Sequence, residues 1–208
     1  MVLQLPVSKF IDDLASRSPT PGGGSASALG GALGVALGNM AAAYTSGEKY
    51  ANVAMQIADL SEQLSTLRQH FTELIQRDID AYAGYAAARG MAKGTPEEKK
   101  TRTAAIDAAL ETATVVPEQI VETALQSLKI VEALGAVANP NLAGDVAVAA
   151  YFLEAAARGA GIQVLSNCAA PDTTGKNAAR RTAVSEKIAA CQAARERIDG
   201  TVLKLLKL

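Results

Sequence analysis

Residues 25–45 read SASALGGALGVALGNMAAAYT, a run long enough for about six turns of helix that contains no charged side chain. Glycine returns at every fourth position, at Gly30, Gly34 and Gly38, a spacing that lets neighbouring helices approach the backbone closely. The length and the lack of charge also suit a membrane-spanning helix. Against that alternative, polar side chains interrupt the run and no basic residues flank it directly. We therefore predict a helix that is buried on all sides within a helical protein.

The segments on either side of this run also have helical patterns. Upstream, residues 7–17 form a short amphipathic helix that ends before a pair of prolines. Downstream, residues 50–89 carry an apolar seam with steps of four and three residues, made by Leu60, Leu64, Leu67, Phe71 and Leu74. Both patterns favour an all-α fold.

The second half of the chain continues in helices. Thr95-Pro96-Glu97-Glu98 has the N-cap, the first-turn proline and the capping-box glutamate of a helix start. The helix extends to Val116, and Pro117 either kinks it or starts another that ends near Gly135. A largely apolar helix over residues 142–168, a polar loop over 171–177 and a final helix complete the chain. We predict one all-α domain, residues 1–208, as a bundle of five or six long helices with a Gly/Ala-rich buried second helix.

The composition argues against several classes of function. With 20% charged residues and a formal net charge of −1, the chain lacks the basic surface that nucleic acids or anionic membranes attract. Two separated cysteines, Cys168 and Cys191, and the single His70 are too few for a metal site. The N-terminal residues do not have the basic and apolar stretches of a signal peptide. We expect a cytoplasmic protein with no metal, no nucleic-acid partner and no membrane contact.

The clearest local motif is PTPGGGS, from Pro19 to Ser25. Its three glycines lead into a helix start, where unpaired N–H groups and the helix dipole attract an anion. The lysine and hydroxyl residue of a nucleotide-hydrolysing P-loop are missing after the glycines. The residues alone leave two interpretations open, an anion-binding turn and a tight turn with close helix packing.

Two carboxylates stand where apolar residues are expected. Continuing the leucine seam by four residues reaches Asp78, and an acid at that position is paired, protonated or facing a cavity. The alternative is an acid at the edge of the seam that is solvated or paired with Arg77 or Arg89. Asp145 is the one charge in LAGDVAVAAYFL, where it either serves a site or interacts with the helix dipole. Gln163 and Asn167, four residues apart, are either ligand-binding amides or interhelical links.

Together these motifs resemble the formimino-tetrahydrofolate cyclodeaminase and methenyl-tetrahydrofolate cyclohydrolase family. The resemblance begins with SPTPGGGS at residues 18–25 and continues through the Ala/Gly-rich helix and YTSGEKY at 44–50. It extends over Asp78, the Thr-Pro-Glu-Glu helix start and residues 139–148, which is essentially the whole chain. It implies an all-α fold, a homodimer and a tetrahydrofolate substrate, which can carry a polyglutamate chain, with no cofactor beyond that folate.

The resemblance also implies roles for individual residues. Asp78 would transfer protons, Asp145 would orient the substrate at its pterin edge, and Lys49 with the glycine loop would bind folate carboxylates. The other substrate-binding positions carried over from the family are Pro21, Gly22, Gly23, Gly24, Ser25, Thr45, Asn141, Gln163 and Asn167. The chain departs from the family at two places: Lys49 is the single lysine left in a shortened Gly-Lys-x-Lys-Tyr stretch, and Gln163 replaces an Asn.

Three functions remain open from the sequence. In the cyclodeaminase, towards which we lean, N10 of the folate attacks a formimino carbon and ammonia leaves. In the cyclohydrolase, water attacks the methenyl carbon between N5 and N10 and the ring opens to 10-formyl-tetrahydrofolate. Both reactions need a proton shuttle in a pocket with little water, which suits a buried carboxylate with a raised pKa. The third function is a non-catalytic helical dimer that binds folate or serves as a scaffold.

Overall fold

The computed structural model describes residues 6–169 and 174–207. Within these ranges the chain forms six α-helices and no strand: α1 (Val7–Leu14), α2 (Gly23–Ala43), α3 (Ala54–Gly90), α4 (Pro96–Gly135), α5 (Ala143–Asn167) and α6 (Lys176–Leu206). Short 3-10 turns over Glu48–Val53 and Pro140–Leu142 precede α3 and α5. The predicted all-α fold is confirmed. Part of the loop predicted at 171–177 lies outside the described residues.

The start of α4 follows the predicted capping box. The Thr95 hydroxyl accepts a hydrogen bond from the Glu98 backbone N–H (3.1 Å), and the Glu98 carboxylate accepts one from the Thr95 N–H (3.0 Å). The open question at Pro117 is also answered, because α4 continues through this buried proline as one helix. The segment on either side of Pro117 is therefore a single packing unit.

The core contains the leucine seam of α3 at its centre. All five seam residues are buried, and Leu64, Phe71 and Leu74 are completely shielded from solvent. They pack in one hydrophobic cluster with apolar residues of α2, α4, α5 and α6. The spacing read from the sequence therefore identified the buried face of α3.

Glycines of α2 make close helix packing possible. A Cβ atom added at Gly31 would lie 2.5 Å from Cζ of Phe71, and one at Gly34 would lie 2.9 Å from the backbone oxygen of Ala149 in α5. At Gly38 the nearest atom would be a Leu64 methyl group at 3.0 Å. Gly30 is different, because a Cβ there would meet nothing within 4 Å. The packed positions are thus 31, 34 and 38, and Gly30 faces outward.

Burial of α2 is one-sided, which corrects the prediction that it is buried all round. Nine of its residues are buried where it faces the rest of the bundle, but Leu33 at the middle of the helix is 48% exposed. Among the described residues, α2 is the one helix long and apolar enough to cross a membrane by length and composition. Within the bundle, the apolar buried side of α2 packs between α3 and α5.

Helix directions create an open end of the bundle. The start of α2 contacts Asp78 of α3, whereas Asn39 near its end donates a hydrogen bond to the Ser61 carbonyl (2.9 Å), so α2 and α3 are antiparallel. Since α3 continues to Gly90, it extends about 18 Å beyond the start of α2. The antiparallel α4 accompanies it, since Arg102 of α4 hydrogen-bonds the Arg89 carbonyl. The last turns of α5 also end here.

Two glycine substitutions test the packing role of α2. Gly34→Ala should destabilise the fold by about 1–3 kcal/mol, because its methyl group meets a backbone oxygen that cannot rotate away. Gly84→Ala, in α3, should stabilise it by about 0.5–1 kcal/mol, since a Cβ there has open space and alanine favours a helix. Urea denaturation measures both. Equal stability of the two variants would contradict the packing account.

Candidate functional site

The open end of the bundle contains a cavity of about 260 Å³. Its walls come from the loop before α2, the first turn of α2, the outer part of α3, and facing parts of α4 and α5. The residues that line it are Pro19, Thr20, Gly22, Gly23, Gly24, Asp78, Ala81, Tyr82, Tyr85, Leu110, Ala113, Gln163 and Asn167. Asp78 is the one charged residue among them. The predicted carboxylate, glycines and amides are therefore brought together.

Asp78 is held by the first turn of α2. The Ser25 hydroxyl donates a hydrogen bond of 2.6 Å to Oδ2 of Asp78, and Ser25 is completely buried. Burial removes water from the carboxylate and raises the pKa of Asp78 above its ordinary value, while the hydroxyl and backbone N–H of Ser25 lower it in part. A carboxyl group that keeps its proton to higher pH can both donate and accept a proton in the cavity.

The glycines explain how a carboxylate reaches the start of a helix. A Cβ at Gly24 would lie 2.6 Å from Cγ of Asp78, so only glycine leaves room for the acid as it stands. At Gly23 a Cβ would lie 3.0 Å from Nε2 of Gln163, whereas at Gly22 it would meet nothing within 4 Å. The backbone of Gly22 is extended, with φ at −129°. Close approach, and not a left-handed turn, is thus the reason for glycine at 24.

The boundary of α2 also differs from the prediction. The helix begins at Gly23 and not at Ser25, and its N-cap, Gly22, offers no side chain to the first-turn N–H groups. The N–H groups of this turn, of which that of Ser25 meets Asp78, carry the positive end of the helix dipole to the cavity wall. Pro21, joined to Thr20 by a cis peptide bond, is buried behind this turn. The close helix packing at this motif is therefore shown, while binding of a ligand anion by its N–H groups stays a prediction.

The two amides of α5 have different partners. Asn167 donates a hydrogen bond of 2.9 Å from Nδ2 to the Ala113 carbonyl of α4, which makes it an interhelical link. It also lines the cavity, as does Gln163 one turn earlier, whose side chain faces Gly23. Asn167 is therefore an interhelical link that also lines the cavity, whereas Gln163 lines the cavity and faces Gly23; ligand binding by either amide stays a prediction.

The remaining predicted site residues lie at the other end of the molecule: Thr45, Lys49, Asn141 and Asp145. Helix α2, with 21 residues, separates the first two from Gly23 by about 30 Å. At that end the Asn139 N–H donates to the Thr45 hydroxyl (2.9 Å), and the Lys49 ammonium lies 5.3 Å from the Tyr50 ring centre. Asp145 is in the first turn of α5, where a carboxylate suits the helix dipole. None of these four residues lines the Asp78 cavity within one chain.

Two tyrosines of the cavity were not assigned from the sequence. Tyr82 and Tyr85 follow Asp78 by four and seven residues, so they share its face of α3. Tyr82 is 45% exposed. Helical spacing from Asp78 was the signal that could have found them, once Asp78 was taken as a site residue.

Comparison with known proteins places this geometry in context. The family model described as formiminotransferase-cyclodeaminase matches residues 6–189. The methenyltetrahydrofolate cyclohydrolase of Methylorubrum extorquens is 34% identical over 197 residues, which are 94% of this chain and 95% of that protein. The formimidoyltransferase-cyclodeaminase of Rattus norvegicus is 32% identical over 167 residues, which are 80% of this chain but only 31% of the longer rat protein.

A solved structure has the same fold. The crystal structure of formiminotetrahydrofolate cyclodeaminase from Thermotoga maritima superposes with a TM-score of 0.80 and 26% sequence identity. The match covers 100% of this chain and 98% of the other. The all-α bundle is therefore shared from end to end with a protein of that name.

The raised pKa of Asp78 predicts a pH-dependent difference in stability. In the unfolded chain the carboxyl ionises near pH 3.9, about its ordinary value, whereas the folded state holds the proton to higher pH. The free energy of unfolding of the wild type therefore falls as the pH rises through this interval. The loss, which comes from ionising the buried Asp78 carboxyl, is complete above the pKa of the folded state. Asp78→Asn does not lose stability in this way, because an amide does not ionise. Its free energy of unfolding, relative to wild type, should rise between about pH 3 and pH 7.

Urea denaturation at both pH values measures this difference. Asp80→Asn is the matched control, because Asp80 is exposed two residues further along α3 and its carboxylate accepts a hydrogen bond from Gln76 in the same helix. A difference for Asp78→Asn that is the same at both pH values would contradict the burial account.

Proposed function

The chain belongs to the formiminotransferase-cyclodeaminase family of folate one-carbon enzymes, and from that premise we propose that its Asp78 cavity acts on the N5–N10 bridge of tetrahydrofolate. The observation that carries the proposal is the half-buried Asp78 carboxyl, which is the one charged side chain among the described residues that line the cavity. It touches the first turn of α2 and has a raised pKa. Such a group suits proton transfer to and from nitrogen near neutral pH.

The reaction that we place first is hydrolysis of methenyl-tetrahydrofolate to 10-formyl-tetrahydrofolate. The relative from Methylorubrum extorquens supports it, because the match covers nearly all of both chains. Ionised Asp78 would take a proton from water as the oxygen attacks the methenyl carbon. The protonated carboxyl would then donate to N5 while the N5–carbon bond breaks. The second proton of the water is released as the formyl C=O forms on N10.

Cyclodeamination of formimino-tetrahydrofolate, favoured by the sequence alone, is the second candidate. The Thermotoga maritima structure supports it. Here Asp78 would accept the N10 proton as N10 attacks the carbon of the protonated formimino group (–CH=NH2+). It would then donate that proton to the former formimino nitrogen, which leaves as ammonia and gives the methenyl cation. Both reactions pass through a tetrahedral carbon between N5 and N10. Neither changes the oxidation level of that carbon, so the proposal includes no redox cofactor.

Other groups of the cavity would bind the substrate. The first-turn N–H groups of α2 and the Gln163 amide face the same space as Asp78, where they can hydrogen-bond the polar edge of a pterin or the oxygen that develops charge. The predicted roles of Thr45, Lys49, Asn141 and Asp145 remain predictions. These four residues would reach the cavity only from a second copy of the chain.

We further propose a homodimer, formed through the exposed side of α2 and α5. Large apolar side chains are exposed there: Leu33 (48%), Val148 (42%), Tyr151 (51%), Phe152 (38%) and Ile162 (59%). The two helices touch, since a Cβ at Gly34 would lie 3.2 Å from Cβ of Phe152. An exposed apolar patch of this kind suits a symmetric contact with a second copy. A cytoplasmic location remains a prediction from the sequence.

Asp78→Asn tests the catalytic proposal. The amide keeps the size of the carboxyl but cannot accept a proton, so turnover should fall about 10²–10⁴-fold. The assay follows the ultraviolet absorbance of methenyl-tetrahydrofolate, as its loss in the hydrolase direction and as its appearance from formimino-tetrahydrofolate. Asp80→Asn is the control and should retain activity. Asp78→Asn with near wild-type rates would contradict the proton-shuttle role, and folate binding without turnover by the wild type would favour the non-catalytic alternative.

Leu33→Glu tests the dimer. A charge at the middle of the exposed face should dissociate the dimer at micromolar concentration, because the carboxylate would be buried without a partner. Leu203→Glu is the matched control, since Leu203 of α6 is 47% exposed on another helix. Sedimentation velocity measures both. A monomeric wild type would contradict the proposal.

A further inference from the structure

The cavity has an aromatic side that the proton chemistry does not use. Tyr82 and Tyr85 line it one and two turns beyond Asp78 on the same face of α3. Tyr85 lies about 10 Å further along the helix axis than Asp78. An aromatic ring can stack on such side chains, so this wall suits the part of a ligand that extends away from the reacting atoms.

Arg89 lies one turn beyond Tyr85 on the same helix. Nη1 of Arg89 lies 3.3 Å from the Tyr85 hydroxyl, and the guanidinium carbon lies 5.9 Å from the centre of the Tyr85 ring. Arg89 therefore turns back toward the cavity, as long side chains of a helix do. Its backbone is anchored to α4, because Nη2 of Arg102 donates a hydrogen bond of 3.0 Å to the Arg89 carbonyl.

The Arg89 guanidinium is available for an anion. Among the residues that the structure describes, no carboxylate forms an ion pair with Arg89. Arg180 and Arg197, by contrast, are each held by glutamates of α4. A guanidinium with free donors beside an aromatic ring suits bidentate binding of a carboxylate.

We infer that Tyr82, Tyr85 and Arg89 form a subsite for an aromatic amide that carries a carboxylate. In a folate, this part is the p-aminobenzoyl ring with its first glutamate. The ring would stack on the tyrosines and the glutamate carboxylate would bind Arg89, with the N5–N10 bridge beside Asp78. The inference rests on the proposed function, because that function identifies the ligand as a folate. It places the tail on α3 of the same chain and not on Lys49.

The spacing fits this order of groups. Asp78, Tyr82, Tyr85 and Arg89 succeed one another along one helix face, so an acid, two aromatic rings and a cation are met in turn. A folate presents its parts in the matching order: basic nitrogens, a benzene ring, an amide and carboxylates. Among the described residues, no cation lines the cavity itself, and the Arg89 guanidinium lies beside Tyr85 at the end of this wall.

Isothermal titration with two ligands tests the subsite. The first is 5-formyl-tetrahydrofolate, and the second is its analogue with glutamate replaced by a neutral methylamide. Wild type should bind the first about ten- to hundredfold more tightly, as expected for a charge-assisted contact. Arg89→Gln should lose this preference by weakening the first ligand alone. Arg77→Gln, on another face of the same helix, is the matched control and should keep the preference.

Several results would overturn the subsite. These are equal affinity of wild type for both ligands, an unchanged preference in Arg89→Gln, or no binding of either ligand. Loss of the preference in Lys49→Gln but not in Arg89→Gln would place the tail at the far end of a second copy. The turnover assay is independent. Tail-dependent binding without turnover in the wild type would reject the proposed reaction and leave the subsite standing.

Discussion

The structure depends on the bare backbone of α2. At Gly31, Gly34 and Gly38 the helix has no side chain where α3, α4 and α5 press against it, and a Cβ at each would lie within 3.0 Å of a neighbour. Packing at this distance excludes water from the buried side of the helix. A side chain is also absent at a contact in the first turn, where Gly24 leaves the space that Asp78 occupies. Helix packing and the candidate site are thus two results of one constraint.

The electrostatics of Asp78 follow from this contact. The start of a helix attracts negative charge, and the Ser25 hydroxyl and N–H stabilise the ionised carboxylate. Loss of water opposes both effects, and it is the largest influence on the Asp78 pKa, which is therefore raised. A pKa closer to neutrality allows one group to act first as base and then as acid, which a reaction through a tetrahedral carbon needs.

Sequence patterns within one helix were predictive. The spacing of Leu60 through Leu74 identified the buried face of α3, and Asp78 was found because it interrupts that spacing. The glycine motif and the amides four residues apart were also found from the residues, and the resemblance added a substrate-binding role for them. Partners across helices could not be read in this way, so the one-sided burial of α2 and the link from Asn167 to Ala113 required the structure. The separation of Gly23 from Lys49, by contrast, could have been predicted from the sequence, because the predicted helix between them is itself about 30 Å long.

The activity of Gly24→Ala tests the central claim most directly. Its methyl group would displace the Asp78 carboxyl from the first turn of α2, and a shift of about 1 Å at a catalytic group can cost about 10²-fold in rate. Gly84→Ala, whose methyl group has open space, serves as the control. We predict a loss of kcat of about a hundredfold in Gly24→Ala with little change in Gly84→Ala. Wild-type kcat in folded Gly24→Ala would contradict the account.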